Sequence, residues 1–542
     1  MSVGRPDGAV RQAGTAPARA PGRLLAWLVA LALLLTLASG ALIFRPAAAV
    51  FSTPLTEDGF YSLTVARNIA TGAGVTADGR QPTNGFQPLF TVVEAGAYAV
   101  ARGDGALAIR IVFALSWAIY LATGALVGAI AADAVPDLEP DAGLTRTTRR
   151  WLATLLYAGG FLTFMHHFNG LETGCVMLLY ALAWRAHQTG LIERRGGPVL
   201  FGALLGLLVL ARIDAAVFVA VMAAWQLARH WRTDRRTALW RAGALAGTAF
   251  VVSAPWWAYN YLVFGALMPT SGTAQQAWGL SARRLRWVFW ALGASSLPTL
   301  WLGRLDELFH DGILLSFLRA LVLAGLARVI VLAWRRAPAA VAVAGLTEDA
   351  GVRARRTIEF GAVLAAALAV LAVYYGLSFM AYWFYYRYLF PVALLTSVAI
   401  AWATAPAALR RPAAAGGLLA LLCAPTVISA VMAQHGRTLH VDTVYWEQLA
   451  LIAERVPDRD AVAAGQAGTL GYFRARVVNV DGKVNREAIP YQTHMWDYLA
   501  AHDVRWFADW PFYVEKYLGP DPAQHGWHQV GQKGYWQLWH RG

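Results

Sequence analysis

"LLAWLVALALLLTLASGALIF", Leu24 to Phe44, is the stretch on which the architecture turns. It matches the ~20 apolar residues an α-helix needs to cross a bilayer core. Arg5, Arg11, Arg19 and Arg23 precede it, and Ala47-Ala48-Ala49 behind it resembles a signal cleavage site. A secretory signal has an apolar core of only about 7–15 residues, however. The run is therefore read as an uncleaved first span, with residues 1–23 as a cytoplasmic tail.

Comparable runs recur along most of the 542 residues. The chain is 58% hydrophobic and 14% charged, against roughly 25% charged in ordinary soluble domains. This composition implies a polytopic helical membrane protein. The net charge of +14 comes from arginine, since Lys483, Lys516 and Lys533 are the only lysines. The arginines cluster in short gaps between apolar runs, as the positive-inside bias requires. That distribution argues against a nucleic-acid partner. Cys175 and Cys423 both lie in apolar runs and form no motif.

About eleven spans are expected, near 24–44, 107–132, 150–168, 173–190, 198–212, 213–229, 241–263, 312–334, 358–383, 388–404 and 412–432. With the N-terminus cytoplasmic, "RTTRR", "ERRGG", "HWRTDRR", "RARR" and "LRR" fall at inner loops. The outer segments are then 45–106, 169–172, 264–311, a turn at 384–387, and everything after 432. "WVFWALGASSLPTLWLG", residues 287–303, has three tryptophans and Pro298 and suits an interfacial helix better than a span. Residues 45–106 are expected to hold juxtamembrane helices. Residues 24–432 then form the membrane domain and 433–542 an extracytoplasmic domain. In that domain "AVAAGQAGTLGYF" reads as strand, turn and helix, "RVVNVDG" as a strand, and "DYLAAHDVRWFAD" as helix then strand. A small α/β fold follows.

This threading gathers the unusual polar residues on one face. Glu57 and Asp58 open a short amphipathic helix, "EDGFYSLTVARNIA". Acids in a first turn complement the helix dipole, but one would suffice. A carboxylate at a partly dry interface can also take a proton from a hydroxyl. In "QPTNGFQPLF", residues 81–90, Pro82, Gly85 and Pro88 mark a turn that presents Asn84 and Gln87. Asn169 and Glu172 in "NGLETG" have capping-box spacing. "LARIDAA" puts Arg212 and Asp214 where two spans meet, so they pair or line a wet cavity. Asn260 lies near the outer end of its span. "WFYYRYLFP" places Arg387, beside Tyr386, on the side the positive-inside bias avoids, and an arginine there is suited to hold a phosphate. No Gly-rich phosphate loop is present. Two adjacent acids leave a divalent metal possible, but no full set of metal ligands is visible.

"TEDGFYSLTVARNIATG", "PTNGFQPL", "NGLETG", "PWWAYNYLVFGALMPTSG", "WFYYRYLFP" and "AGTLGYF…VVNVDGKVN" occur in this order between about 50 and 485. The series resembles bacterial integral-membrane glycosyltransferases of the GT-C superfamily, notably terminal arabinofuranosyltransferases and polyprenyl-phosphate-sugar-dependent mannosyltransferases. The resemblance implies a bacterial plasma-membrane enzyme with a sugar donor carried on polyprenyl phosphate. It also implies an acceptor glycan or glycolipid on the outer face and a catalytic base at Glu57 or Asp58. Arg387, with Tyr386 and Arg212, is expected to contact the donor phosphate and lipid. Asn84, Gln87, Glu172, Asp214 and Asn260 are expected to bind substrate. Related sequences often carry a lysine just after "PTSG", where this chain has Thr273, Ala274, Gln275 and Gln276. A transporter or flippase of lipid-linked glycans is the rival class. It accounts for many spans and buried charge, but not for an outer α/β domain. Six tryptophans there (Trp496, Trp506, Trp510, Trp527, Trp536 and Trp539) suit either sugar stacking or core packing.

Overall fold

The computed structural model describes residues 20–134, 142–300, 348–439 and 444–542, with isolated helical positions at 321, 324, 325 and 328. The first helices are α1 (Ala20–Gly40), α2 (Glu57–Ala70), α3 (Pro88–Val100) and α4 (Gly105–Ala132). Then come α5 (Ala142–Ala158), α6 (Phe161–Phe168), α7 (Thr173–Gln188), α8 (Gly197–Ala211) and α9 (Ala216–His230). After α10 (Arg235–Phe264), α11 (Thr270–Ala274) and α12 (Ala282–Ser296), the described chain resumes with α13 (Glu348–Ser378), α14 (Tyr385–Tyr388), α15 (Val392–Arg410) and α16 (Pro412–Ala433). Among the described residues, five helices are long and apolar enough to cross a membrane: Gly22–Phe44, Gly105–Ala132, Gly351–Ser378, Val392–Arg410 and Pro412–Ala433. The protein is a multi-pass helical membrane protein with a small sheet domain at its C-terminal end.

Local chemistry accounts for the helix ends. Asp104 caps α4 by accepting the Leu107 amide at 3.0 Å, and Asp234 caps α10 by accepting that of Thr237 at 3.1 Å. Gly265 closes α10 in the left-handed region at φ 64°. Between α8 and α9 the chain is extended at Arg212 (φ −161°, ψ 119°), so the expected boundary of two spans at 212–213 is a real break.

Three boundaries differ from expectation. The span expected at 150–168 is two helices, broken at Gly159-Gly160. A Cβ on Gly159 would collide with Cys423 Sγ of α16, and one on Gly160 would lie 2.7 Å from Pro298 Cβ. The break therefore falls where two other segments pack against the chain. α12 starts at Ala282 and spans 15 residues, about 22 Å at 1.5 Å per residue. α13 ends at Ser378, and the following strand-like residues pair with the loop after α11, with Met380 N donating to Gln275 O at 2.9 Å. The expected span 312–334 lies outside the described residues, apart from the isolated positions named above.

α2 is amphipathic as expected, but it is not a surface helix. Phe60, Leu63, Val65 and Ala66 are each fully buried. Its neighbours are α3 and the C-terminal domain. That domain consists of α17 (Trp446–Arg455), β1 (Val462–Ala464), α18 (Gly468–Phe473), β2 (Val477–Asn479), α19 (Met495–Ala501), β3 (Trp506–Asp509), α20 (Pro511–Leu518), β4 (Trp527–Lys533) and β5 (Trp536–Arg541). The sheet order is β2-β1-β3-β5-β4. β1 pairs in parallel with β2 and β3, and β5 pairs antiparallel with β3 and β4. Trp527 and Trp536 are core residues, Trp496 stacks on His525 at 4.1 Å, and none of the six tryptophans is exposed.

Candidate active site

Thr56 starts α2: its hydroxyl accepts the Gly59 amide at 3.2 Å. The two acids that follow point to different places, because successive helix positions are about 100° apart. Glu57 is buried against the C-terminal domain. Its carboxylate accepts from the amides of Gly468 and Thr469, the latter at 2.7 Å, and from the Thr469 hydroxyl at 2.5 Å. Burial pushes its pKa from 4.5 up to about 7, against the pull of those hydrogen bonds.

Asp58 instead faces a cavity of about 430 Å³, within the roughly 300–1,000 Å³ range of small-ligand pockets. Arg387 Nη1 lies 3.3 Å from Asp58 Oδ2 and Lys483 Nζ lies 3.9 Å from Oδ1. Lys483 also pairs with Asp481 at 3.1 Å. Burial works against the Lys483 ammonium, but Asp481 and Asp58 outweigh it and hold its pKa above the ordinary value. The Arg387 guanidinium sits 4.9 Å from the Phe384 ring centre and 5.4 Å from that of Tyr388. Its Nε has no hydrogen-bond partner among the described residues.

A second charged group lines the same cavity next to Arg387, with Arg212 Nη1 3.5 Å from the Arg387 carbonyl. Arg212 Nε reaches both oxygens of Asp214, at 3.0 and 2.9 Å, while Nη1 lies 3.4 Å from Glu172 Oε1. Its guanidinium covers the Tyr388 ring at 4.4 Å, and the Tyr375 hydroxyl donates to Asp214. Removing one partner of such a buried pair costs about 3–5 kcal/mol. Gln87 lines the same cavity and accepts the Ile213 amide at 3.3 Å. Leu371, Phe379, Trp257 and Met268 supply apolar lining.

The comparisons bear on this architecture. An Archaeoglobus fulgidus oligosaccharyltransferase, solved tethered to an acceptor peptide, superposes with TM-score 0.51 at 13% identity, covering 94% of this chain and 74% of its own. The chain has a GT-C-like fold. ArnT from Cupriavidus metallidurans bound to undecaprenyl phosphate gives TM-score 0.48 at 13% identity, over 96% and 98% of the two chains. No family model and no curated protein matches the chain.

Within this GT-C-like frame, Asp58, Gln87, Glu172, Arg212, Asp214 and Arg387 meet around one cavity. Four expected site residues do not join them: Glu57, held by the C-terminal domain, and Asn84, Asn260 and Tyr386. Asn84 and Asn260 are buried against each other, with Asn84 Nδ2 donating to Asn260 Oδ1 at 2.7 Å and Asn84 Oδ1 accepting the Thr270 amide at 3.0 Å. They tie the 81–90 turn to α10 and α11. Tyr386 faces the other way, 5.3 Å from the His166 ring and 5.6 Å from that of Trp290. Its place on the cavity wall is taken by Tyr388. The two-acid metal site allowed by the sequence does not form, because Glu57 is engaged elsewhere. Among the described residues no group of three metal-ligating side chains gathers. Lys483 is the cavity-lining cation that sequence reasoning missed. Its signal was rarity: one of three lysines, inside the "VVNVDGKVN" block.

Proposed function

We propose that the protein transfers a sugar from a polyprenyl-phosphate donor to an acceptor glycan or glycolipid on the outer face of the membrane, with Asp58 as general base. One observation carries the reading: the Asp58 carboxylate lines the cavity beside two cations, Arg387 and Lys483, whereas Glu172 and Asp214 are both paired with Arg212. The likeness to an oligosaccharyltransferase solved with its acceptor peptide supports glycosyl transfer on this frame. The apolar lining beside the charges suits a lipid-linked phosphate. In the reaction the acceptor hydroxyl oxygen attacks the anomeric carbon and its proton passes to Asp58. The bond from that carbon to the phosphate oxygen breaks, with inversion. The departing phosphate keeps the electron pair, and Arg387 and Lys483 neutralise its growing charge. Glu57 has its oxygens filled by the C-terminal domain and serves to hold α2 in place.

The test uses purified full-length protein in detergent with polyprenyl-phosphate sugars. Asp58→Asn is expected to lower kcat by ~10²–10⁴-fold at an unchanged melting temperature. Full transfer by the variant overturns the assignment. A flippase makes no product in detergent and moves lipid only between two compartments, so product formation separates the two classes.

A further inference from the structure

A second cavity, of about 180 Å³, lies between the first loop and the C-terminal domain. It is not an isolated void. Tyr61 and Val484 line both this cavity and the one that holds Asp58, so the two share a wall. Tyr61 is three residues after Asp58 on α2, and positions so spaced share one helix face. The cavity is well below the ~300 Å³ of pockets that enclose larger ligands, a size for one ring and not for a chain.

Its chemistry is specific. From the first loop come Asp78, Arg80 and Gln81, and from the C-terminal domain Asn479, Asn485 and His502. Gln81 Nε2 donates to Glu487 at 2.8 Å and thereby bridges the two parts. Asn479 is 7% exposed, and its Oδ1 has no hydrogen-bond partner among the described residues. Val477, Val484 and Val504 form the apolar remainder. Amides, a carboxylate and an imidazole set against an apolar face match the ring of a neutral sugar, with hydroxyls around its edge and C–H groups on its faces. They do not match a phosphate, because the Asp78 carboxylate lines the same cavity as Arg80.

We infer that this cavity is an acceptor subsite: it holds the sugar unit next to the one whose hydroxyl reaches Asp58, with Tyr61 between them. This rests on the glycosyltransferase reading above and adds to it that the acceptor is a chain of at least two neutral sugars. The C-terminal domain then measures acceptor length as well as supplying Lys483.

The test measures binding of octyl glycosides with one, two and three neutral pentose or hexose units to the full-length protein, wild type and Asp58→Asn. Two units are expected to bind at least tenfold tighter than one in both proteins, with little gain from the third. Ala77→Trp, which fills the cavity, and Gln81→Ala, which removes a polar wall, are each expected to cut that ratio below threefold. Gln81→Ala decides the matter alone if the tryptophan variant does not fold. A ratio that survives the variants, or no length preference in any series, overturns the inference. Failure of the catalytic reading looks different: Asp58→Asn stays active while the length preference persists.

Discussion

At the residue scale, adjacency in sequence concealed a division of labour. Glu57 and Asp58 were inseparable as letters, because which face of α2 meets which partner depends on a domain more than 400 residues away. The structure gives Asp58 the cavity and Glu57 the interdomain contact with Gly468 and Thr469. A pH dependence follows. Below about pH 4.5 Glu57 is protonated whether the domain is docked or not, and its contribution is constant. Between 4.5 and about 7 the undocked carboxyl releases its proton while the docked one keeps it, so docking weakens as pH rises. At about 1.4 kcal/mol per unit, the loss is on the order of 3 kcal/mol once pH passes the folded value. Asp509, buried and raised to about 7, acts in the same window. Hydrogen exchange of residues 465–473, corrected for intrinsic rates, is expected to speed up between pH 5 and 7.5 in the wild type. Glu57→Gln is expected to flatten that rise to the part due to Asp509, and an identical slope in both proteins refutes the account. Asn84 and Asn260 show the opposite failure of legibility. Each looked like a ligand for substrate, and each is engaged within the fold: Asn84 donates to Asn260 and accepts from Thr270, while Asn260 donates to the Trp256 carbonyl.

At the element scale, close backbone approach sets what the sequence showed only as glycine. Gly85, in the turn before α3, passes the carbonyl of Lys483 so closely that a Cβ would overlap it, and Gly468 meets the Glu57 carbonyl in the same way. The first contact holds the segment that carries Lys483 beside the cavity, and the second holds α18 against α2. Gly85→Ala is therefore expected to push residues 481–485 away and to lower kcat/KM about tenfold or more, in the range one displaced cation costs a charge-stabilised step. Hydrogen exchange at 479–485 should rise in parallel while α4 and α13 stay protected. Unchanged exchange and activity would show that the loop relaxes without moving the lysine. Apolar periodicity located most helices, and short apolar runs next to turn residues located β1, β2 and β3, because both signals are local. The break at Gly159-Gly160 and the β4–β5 hairpin were not read from the sequence. The first reflects crowding by Cys423 and Pro298, contacts made across the chain, and the second is a strand pair whose exposed side carries mixed polar residues.

At the scale of the whole molecule, the helices themselves fix which parts share an end of the bundle. α7 leaves the cavity at Glu172 and runs 16 residues to Gln188, about 24 Å. The 189–196 turn reverses the chain, and the 15 residues of α8 return it to Arg212 on the cavity wall. The turn at Glu193 and Arg194 is thus at the far end from Asp58, Arg387, Lys483 and the C-terminal sheet. The positive-inside bias favours a cytoplasmic place for that turn, since the short 189–196 loop holds Arg194 and Arg195. The enzyme reading requires the cavity end to be outside, where a lipid-linked sugar and an acceptor glycan can meet. A protein without Cys175 and Cys423, carrying single cysteines at Thr71, Arg195 or Tyr535, tests this in intact cells. Thr71 closes α2 and Tyr535 is 81% exposed at the tip of the β4–β5 hairpin. A membrane-impermeant maleimide is expected to label positions 71 and 535 at once and position 195 only after permeabilisation. The reverse pattern would put the cavity in the cytoplasm and remove the outer-face acceptor. Labelling of 71 and 535 from opposite sides would break the shared site itself, since Asp58 and Lys483 are then no longer neighbours.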